Sequence, residues 1–138
     1  MPPPMPVDLA RILDAQTLDK TLGVTYEELT PERVVALLPV GSAVHQPFGF
    51  LHGGASVAVA ESVASIGGSL AAPEGYIAMG LEINANHVRP MREGTLRAVG
   101  TPLHRGRTTQ VWEVRLSDDE GRLVCISRCT LALVRIDG

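Results

Sequence analysis

Between Arg33 and Glu74 the only fully charged residue is Glu61, although charged residues make up 20% of the chain. It stands in "HGGASVAVAESVASIGG", 52–68, a run of small and apolar residues that reads as a helix from about Gly53 to Ala72. A carboxylate kept in such a segment can serve as a general base or as a nucleophile. The "HGG" that leads into the helix supplies the second half of a reactive pair. Its glycines admit a ligand close to the backbone, and the first N–H groups of the helix point outward at the positive end of the dipole. Such a terminus can hold a developing oxyanion. The alternative for Glu61 is a surface glutamate that pairs locally.

The helix itself says how these groups are placed. At 100° per residue, Val59, Val63, Ile66 and Leu70 fall on one side, which is expected to pack on a sheet. Gly54, Ala58, Glu61, Ser65, Gly68, Ser69 and Ala72 fall opposite. A solvated face would carry long polar side chains, so this stripe of small ones predicts a contact surface. Gly53 and Glu61 are eight residues apart, about 12 Å along a helix axis, more than a glutamate side chain recovers. Two antiparallel copies of the helix about a twofold axis would bring Gly53 of one subunit to Glu61 of the other. The expectation is a homodimer with sites at its interface.

Around that helix the pattern is mostly β. Val7–Gly23 reads as a short leading helix ended by glycine, and Val24–Val40 as two strands about a turn. A loop runs from Gly41 to His52. After the long helix come four alternating runs hinged at "MREG", "RGR" and "DDEG". One long helix with about six mostly antiparallel strands is an α+β plan, with the helix over one sheet face. A single domain over 1–138 is expected, with the Pro-rich residues 1–6 as a flexible leader.

Composition narrows the function. A net charge of -3 offers no basic stripe for nucleic acid. No charged n-region precedes an apolar run, and the weakly charged stretch is broken by glycines, serines and Glu61, so neither a signal peptide nor a membrane span is expected. Cys125 and Cys129 lie four apart in a strand-like run, roughly 13 Å, too far for a disulfide and too few for a zinc site. They read as reduced core thiols of a cytoplasmic protein, and no metal is expected.

The segments "QPFGFLHGGASVAVAESVASIGG", "GLEINANHVRP", "GTLRAVGTPLHRGRTTQVWEV" and "DEGRLVCISR" together resemble the hotdog-fold acyl-CoA thioesterases, over about residues 20–135. The resemblance is to the glutamate-type branch that includes 4-hydroxybenzoyl-CoA and 1,4-dihydroxy-2-naphthoyl-CoA thioesterases. It implies that Glu61 is the nucleophile or the general base for water, and that the Gly53 N–H polarises the thioester carbonyl. Gln46 and His52 would line the same pocket, with Ser65 near the acyl group or the attacking water. An acyl-CoA substrate and no separate cofactor are implied, and dimers that pair into tetramers. The chemistry agrees: thiolate leaves readily, so thioester hydrolysis needs a base or nucleophile and a carbonyl donor, but no metal.

CoA phosphates want cations. His87 and Arg89 in "NANHVRP", and Arg107 in "HRGR", are the candidates, while His45 and His104 read as ordinary loop histidines. Phe48, Phe50 and Met79 are candidate pocket walls, Trp112 reads as core, and Gly54 joins the ligand-facing helix start. Two other activities compete. A hotdog dehydratase or hydratase pairs a histidine with its acid for proton transfer on the acyl chain, which this spacing does not match. A non-catalytic acyl-CoA-binding regulator would lack the sheltered acid.

Overall fold

Residues 8–136 are described by the computed structural model, and the leader, 1–6, lies outside them. In place of one leading helix there are two short ones, α1 (Leu9–Asp14) and α2 (Leu18–Leu22), because Ala15 leaves α1 in extended conformation. Gly23, at φ 89°, closes α2 in the left-handed region that a side chain disfavours. Strands β1 (Thr25–Leu29) and β2 (Val34–Val40) form the expected hairpin. A single 3-10 turn (Ser42–Val44) and a loop then lead to the long helix, α3 (Gly53–Ala71).

After it run β3 (Tyr76–His87), β4 (Gly94–Arg105), β5 (Thr109–Ser117) and β6 (Leu123–Arg135). All pairings are antiparallel, in the order β1-β2-β4-β5-β6-β3. "RGR" and "DDEG" therefore close hairpins, whereas "MREG" lies on a crossover, since β3 pairs with β6 and not with β4. The outer edge of β3 has no neighbouring strand among the described residues.

By length and composition alone α3 could cross a bilayer, but it lies on the sheet against β2 through β6. Its end is set locally: Ala72 is extended at φ -72°, ψ 151°, the region that the residue before a proline, here Pro73, adopts. Val59 and Val63 are fully buried, as expected.

The predicted faces need correction at the far end of the helix. Gly68, Ser69 and Ala72 are buried, while Ile66 and Leu70 are only half-buried. The reason is steric. The sheet offers bulk there, so the helix answers with small residues. A methyl on Gly67 would sit 2.6 Å from Cζ3 of Trp112, and one on Gly68 2.7 Å from Cδ1 of Leu131. Ser69 Oγ accepts from the Ala78 N–H at 3.0 Å, joining α3 to β3. Smallness thus serves close packing on the sheet as well as an open face.

Trp112 is core, fully buried, with Nε1 donating to Gln110 Oε1 at 2.8 Å; Gln110 in turn donates to the Gly68 carbonyl at 3.1 Å. Gly67→Ala should therefore cost about 1–3 kcal/mol of stability, as overpacking of a filled core does. Urea unfolding measures it, and an unchanged midpoint with an unchanged slope would refute this packing argument. Cys125 and Cys129 are free and fully buried on β6.

Candidate active site

The start of α3 is shaped by His52. Its Nδ1 accepts from the Gly54 N–H at 2.8 Å, and its carbonyl accepts from the N–H groups of Ala55 and Ser56. That leaves the Gly53 N–H without a partner among the described residues, a donor at the positive end of a 19-residue helix. The His87 ring lies against the Cα of Gly53, since a methyl there would sit 3.0 Å from Nε2.

Gly53 opens on a cavity of about 430 Å³ that Gln46, Phe50, His87 and Arg89 also line. Gln46 Oε1 accepts from the N–H groups of Phe48 at 2.6 Å and Phe50 at 3.3 Å. With its oxygen engaged, the Gln46 side chain has its NH₂ left to donate. Arg92 lies over the Phe50 ring, 4.0 Å from the centroid, bracing the same loop.

Glu61 lies two turns further along, half-buried. Its carboxylate rests on Gly80 of β3, where a methyl would meet Oε1 at 2.9 Å, and the β3–β6 register is irregular between Gly80 and Glu82. Burial first, and then the charges of Glu61 and Glu82, push the Cys129 thiol up to about 11. Glu61, Ser65 and Gly54 line a second cavity, an open groove of about 650 Å³ along α3.

The predicted residues thus divide. Gln46, Gly53, His87 and Arg89 gather in one cavity, and Gly54, Glu61 and Ser65 in the other. One chain does not put Gly53 and Glu61 in a common cavity, as the spacing anticipates.

Three predicted site residues are not brought in. His52 lines neither cavity, because its ring is turned back to cap the helix. Phe48 stands out from its loop, 79% exposed, and Arg107 is exposed at the β4–β5 turn. Neither lines either cavity: Phe48 sits in the turn closed by the Gly49 N–H on the Gln46 carbonyl, and Arg107 in the turn between β4 and β5. Met79 is likewise exposed on the edge strand, and His45 is a loop histidine whose Nε2 pairs with the Arg92 carbonyl at 2.7 Å.

Sequence reasoning missed the other wall of the Glu61 groove, which comes from α1 and α2 through Ile12, Thr17, Leu18 and Asp19. Asp19 is bonded by Tyr26 and Ser62, a contact across 43 positions that no local pattern signals.

Residues 48–125 match the thioesterase superfamily. The 1,4-dihydroxy-2-naphthoyl-CoA hydrolase of Escherichia coli K12 is 48% identical, over 82% of this chain and 83% of that protein. The proofreading thioesterase EntH of Cronobacter sakazakii is 42% identical, over 86% of each. The crystal structure of a Haemophilus influenzae thioesterase superposes with a TM-score of 0.89 at 38% identity, over 96% of this chain and 94% of that one. With these matches and a six-stranded sheet around one long helix, the chain belongs to the thioesterase superfamily and is a hotdog-fold thioester hydrolase.

Proposed function

We propose that the protein hydrolyses an acyl-CoA, with an aromatic or medium-sized acyl group, to the free acid and CoA. The observation that carries the reading is a pair of groups on one helix: a Gly53 N–H with no acceptor among the described residues and a Glu61 carboxylate in a substrate-sized groove. The relatives named for naphthoyl-CoA hydrolysis support the CoA ester and the aromatic acyl group.

In this reading the Gly53 N–H, with the Gln46 NH₂ from the same cavity, takes the charge that develops on the thioester oxygen. Glu61 either attacks the carbonyl carbon or removes a proton from water that does, with Ser65 one turn away to hold that water. The C–S bond breaks, CoA leaves as a thiolate and takes up a proton, and the oxygen from water ends on the acid. His87 and Arg89 lie in the Gly53 cavity and would receive the CoA end.

The assembly is a homodimer, pairing further into a tetramer, in which Gly53 of one subunit serves Glu61 of the other. The unpaired edge of β3 supports it. Met79 and Leu81 are 53% and 63% exposed there, an apolar strand edge that a second copy would cover. The protein works in the cytoplasm, without a bound metal or separate cofactor.

A panel of aryl- and alkyl-CoA esters with a thiol-reactive dye tests the reaction. Free CoA should appear for at least one aryl or medium-chain ester. Binding without CoA release across the panel would overturn the reading.

A further inference from the structure

We infer that the α1–α2 segment is the acyl-specificity wall of this enzyme, latched over α3 by Asp19, so that Leu18 and Ile12 set which acyl group is accepted. The inference rests on reading Glu61 as the reacting carboxylate.

The groove that holds Glu61 has two sides. One is the α3 face with Ala58, Glu61 and Ser65, and the other is Ile12, Leu18 and Asp19. An acyl group held at Glu61 that extends along this groove meets the α1–α2 side chains. Leu18, a large apolar residue, is 59% exposed among the described residues of one protomer, and it lines the groove. A substrate's apolar group would cover it.

Two helices of six and five residues are too short to hold their place by themselves. Asp19 holds them. Its Oδ2 accepts from the Tyr26 hydroxyl at 2.5 Å and its Oδ1 from Ser62 Oγ at 2.7 Å, so one carboxylate ties α2 to β1 and to α3. Ser62 is the residue next to Glu61, and the latch therefore fixes the wall relative to the reacting group. Burial, and then Asp19, push the Tyr26 phenol far above its ordinary range, so it remains a donor at any working pH.

The chemistry of the wall also states what it refuses. Asp19 and Glu61 bring two carboxylates to one groove, while Ile12, Leu18, Val57 and Ile66 make most of the rest apolar. An uncharged acyl group, whether ring or chain, suits it. One ending in a carboxylate is repelled.

The test is the ratio of kcat/KM for the largest to the smallest ester that the wild type turns over, among acetyl-, butyryl-, hexanoyl-, octanoyl-, benzoyl- and 2-naphthoyl-CoA. Leu18→Trp should lower the ratio by about tenfold or more and Leu18→Ala should move it the other way, as changes of a few carbons in an apolar pocket do. Ile12→Trp gives an independent reading at a second wall position, with thermal unfolding to verify that each variant is folded. For the latch, Asp19→Ala should raise KM for the large esters with little change in kcat. Asp19→Asn should recover part of it, because an amide oxygen still accepts from Tyr26.

Ratios within twofold of wild type in both folded tryptophan variants would overturn the inference. Failure of the underlying reading looks different: Glu61→Ala would then keep its turnover, whichever way the ratio moves.

Discussion

Glu61→Ala and Glu61→Gln should each lower kcat on the preferred CoA ester by about 10²–10⁴-fold, the usual worth of a positioned base or nucleophile, with KM much less changed. Glutamine is the sharper of the two. It keeps the size of the side chain that rests on Gly80, so the β3 edge and the groove retain their shape and only the basic oxygen is lost. The dye assay for free CoA measures it directly. A Glu61→Gln enzyme running at the wild-type rate would remove the carboxylate from the mechanism.

Gly53→Pro carries the second large effect, a fall in kcat of about 10²–10³-fold, as when one oxyanion donor is deleted. The fold tolerates it. Proline is favoured at the first helical position, and His52, at φ -66° and ψ 129°, already has the backbone that precedes a proline. The one bystander is His87, whose ring is met by any Cβ at this position. Gly53→Ala adds the same Cβ but keeps the N–H, so it separates crowding from loss of the donor. If the two variants are equally slow, the donor is not the cause.

Mixing the two crippled proteins decides how the groups are shared. Where each site takes Gly53 from one subunit and Glu61 from the other, a Gly53→Pro/Glu61→Gln heterodimer has one site with both groups intact. A statistical mixture then regains about a quarter of the wild-type rate. If none returns after subunit exchange has been verified, both groups act within one subunit.

Much of this was legible before any coordinates. Glu61 announces itself by being the lone charge where charge is excluded, and "HGG" by joining two glycines to the start of an apolar-periodic run. Both signals are local, because a helix places its residues by counting. The α+β plan followed from the alternation of the strands, and Trp112 could be assigned to the core from its apolar neighbours. The faces of α3 were half legible. A glycine says only that something comes close, and whether that is a ligand or Trp112 depends on what the sheet presents.

The sequence alone determined the long helix and the alternating strands after it, and a spacing of eight residues that leaves Gly53 and Glu61 in separate cavities of one chain. Only the tertiary structure decided that His52 spends its ring on capping, that Phe48 and Arg107 stand away from both cavities, and that α1 and α2 wall the Glu61 groove. The physical reason is range. Periodicity and capping act within a few residues, whereas Asp19 meets Ser62, and β3 meets β6, through contacts between parts of the chain that carry no common local pattern.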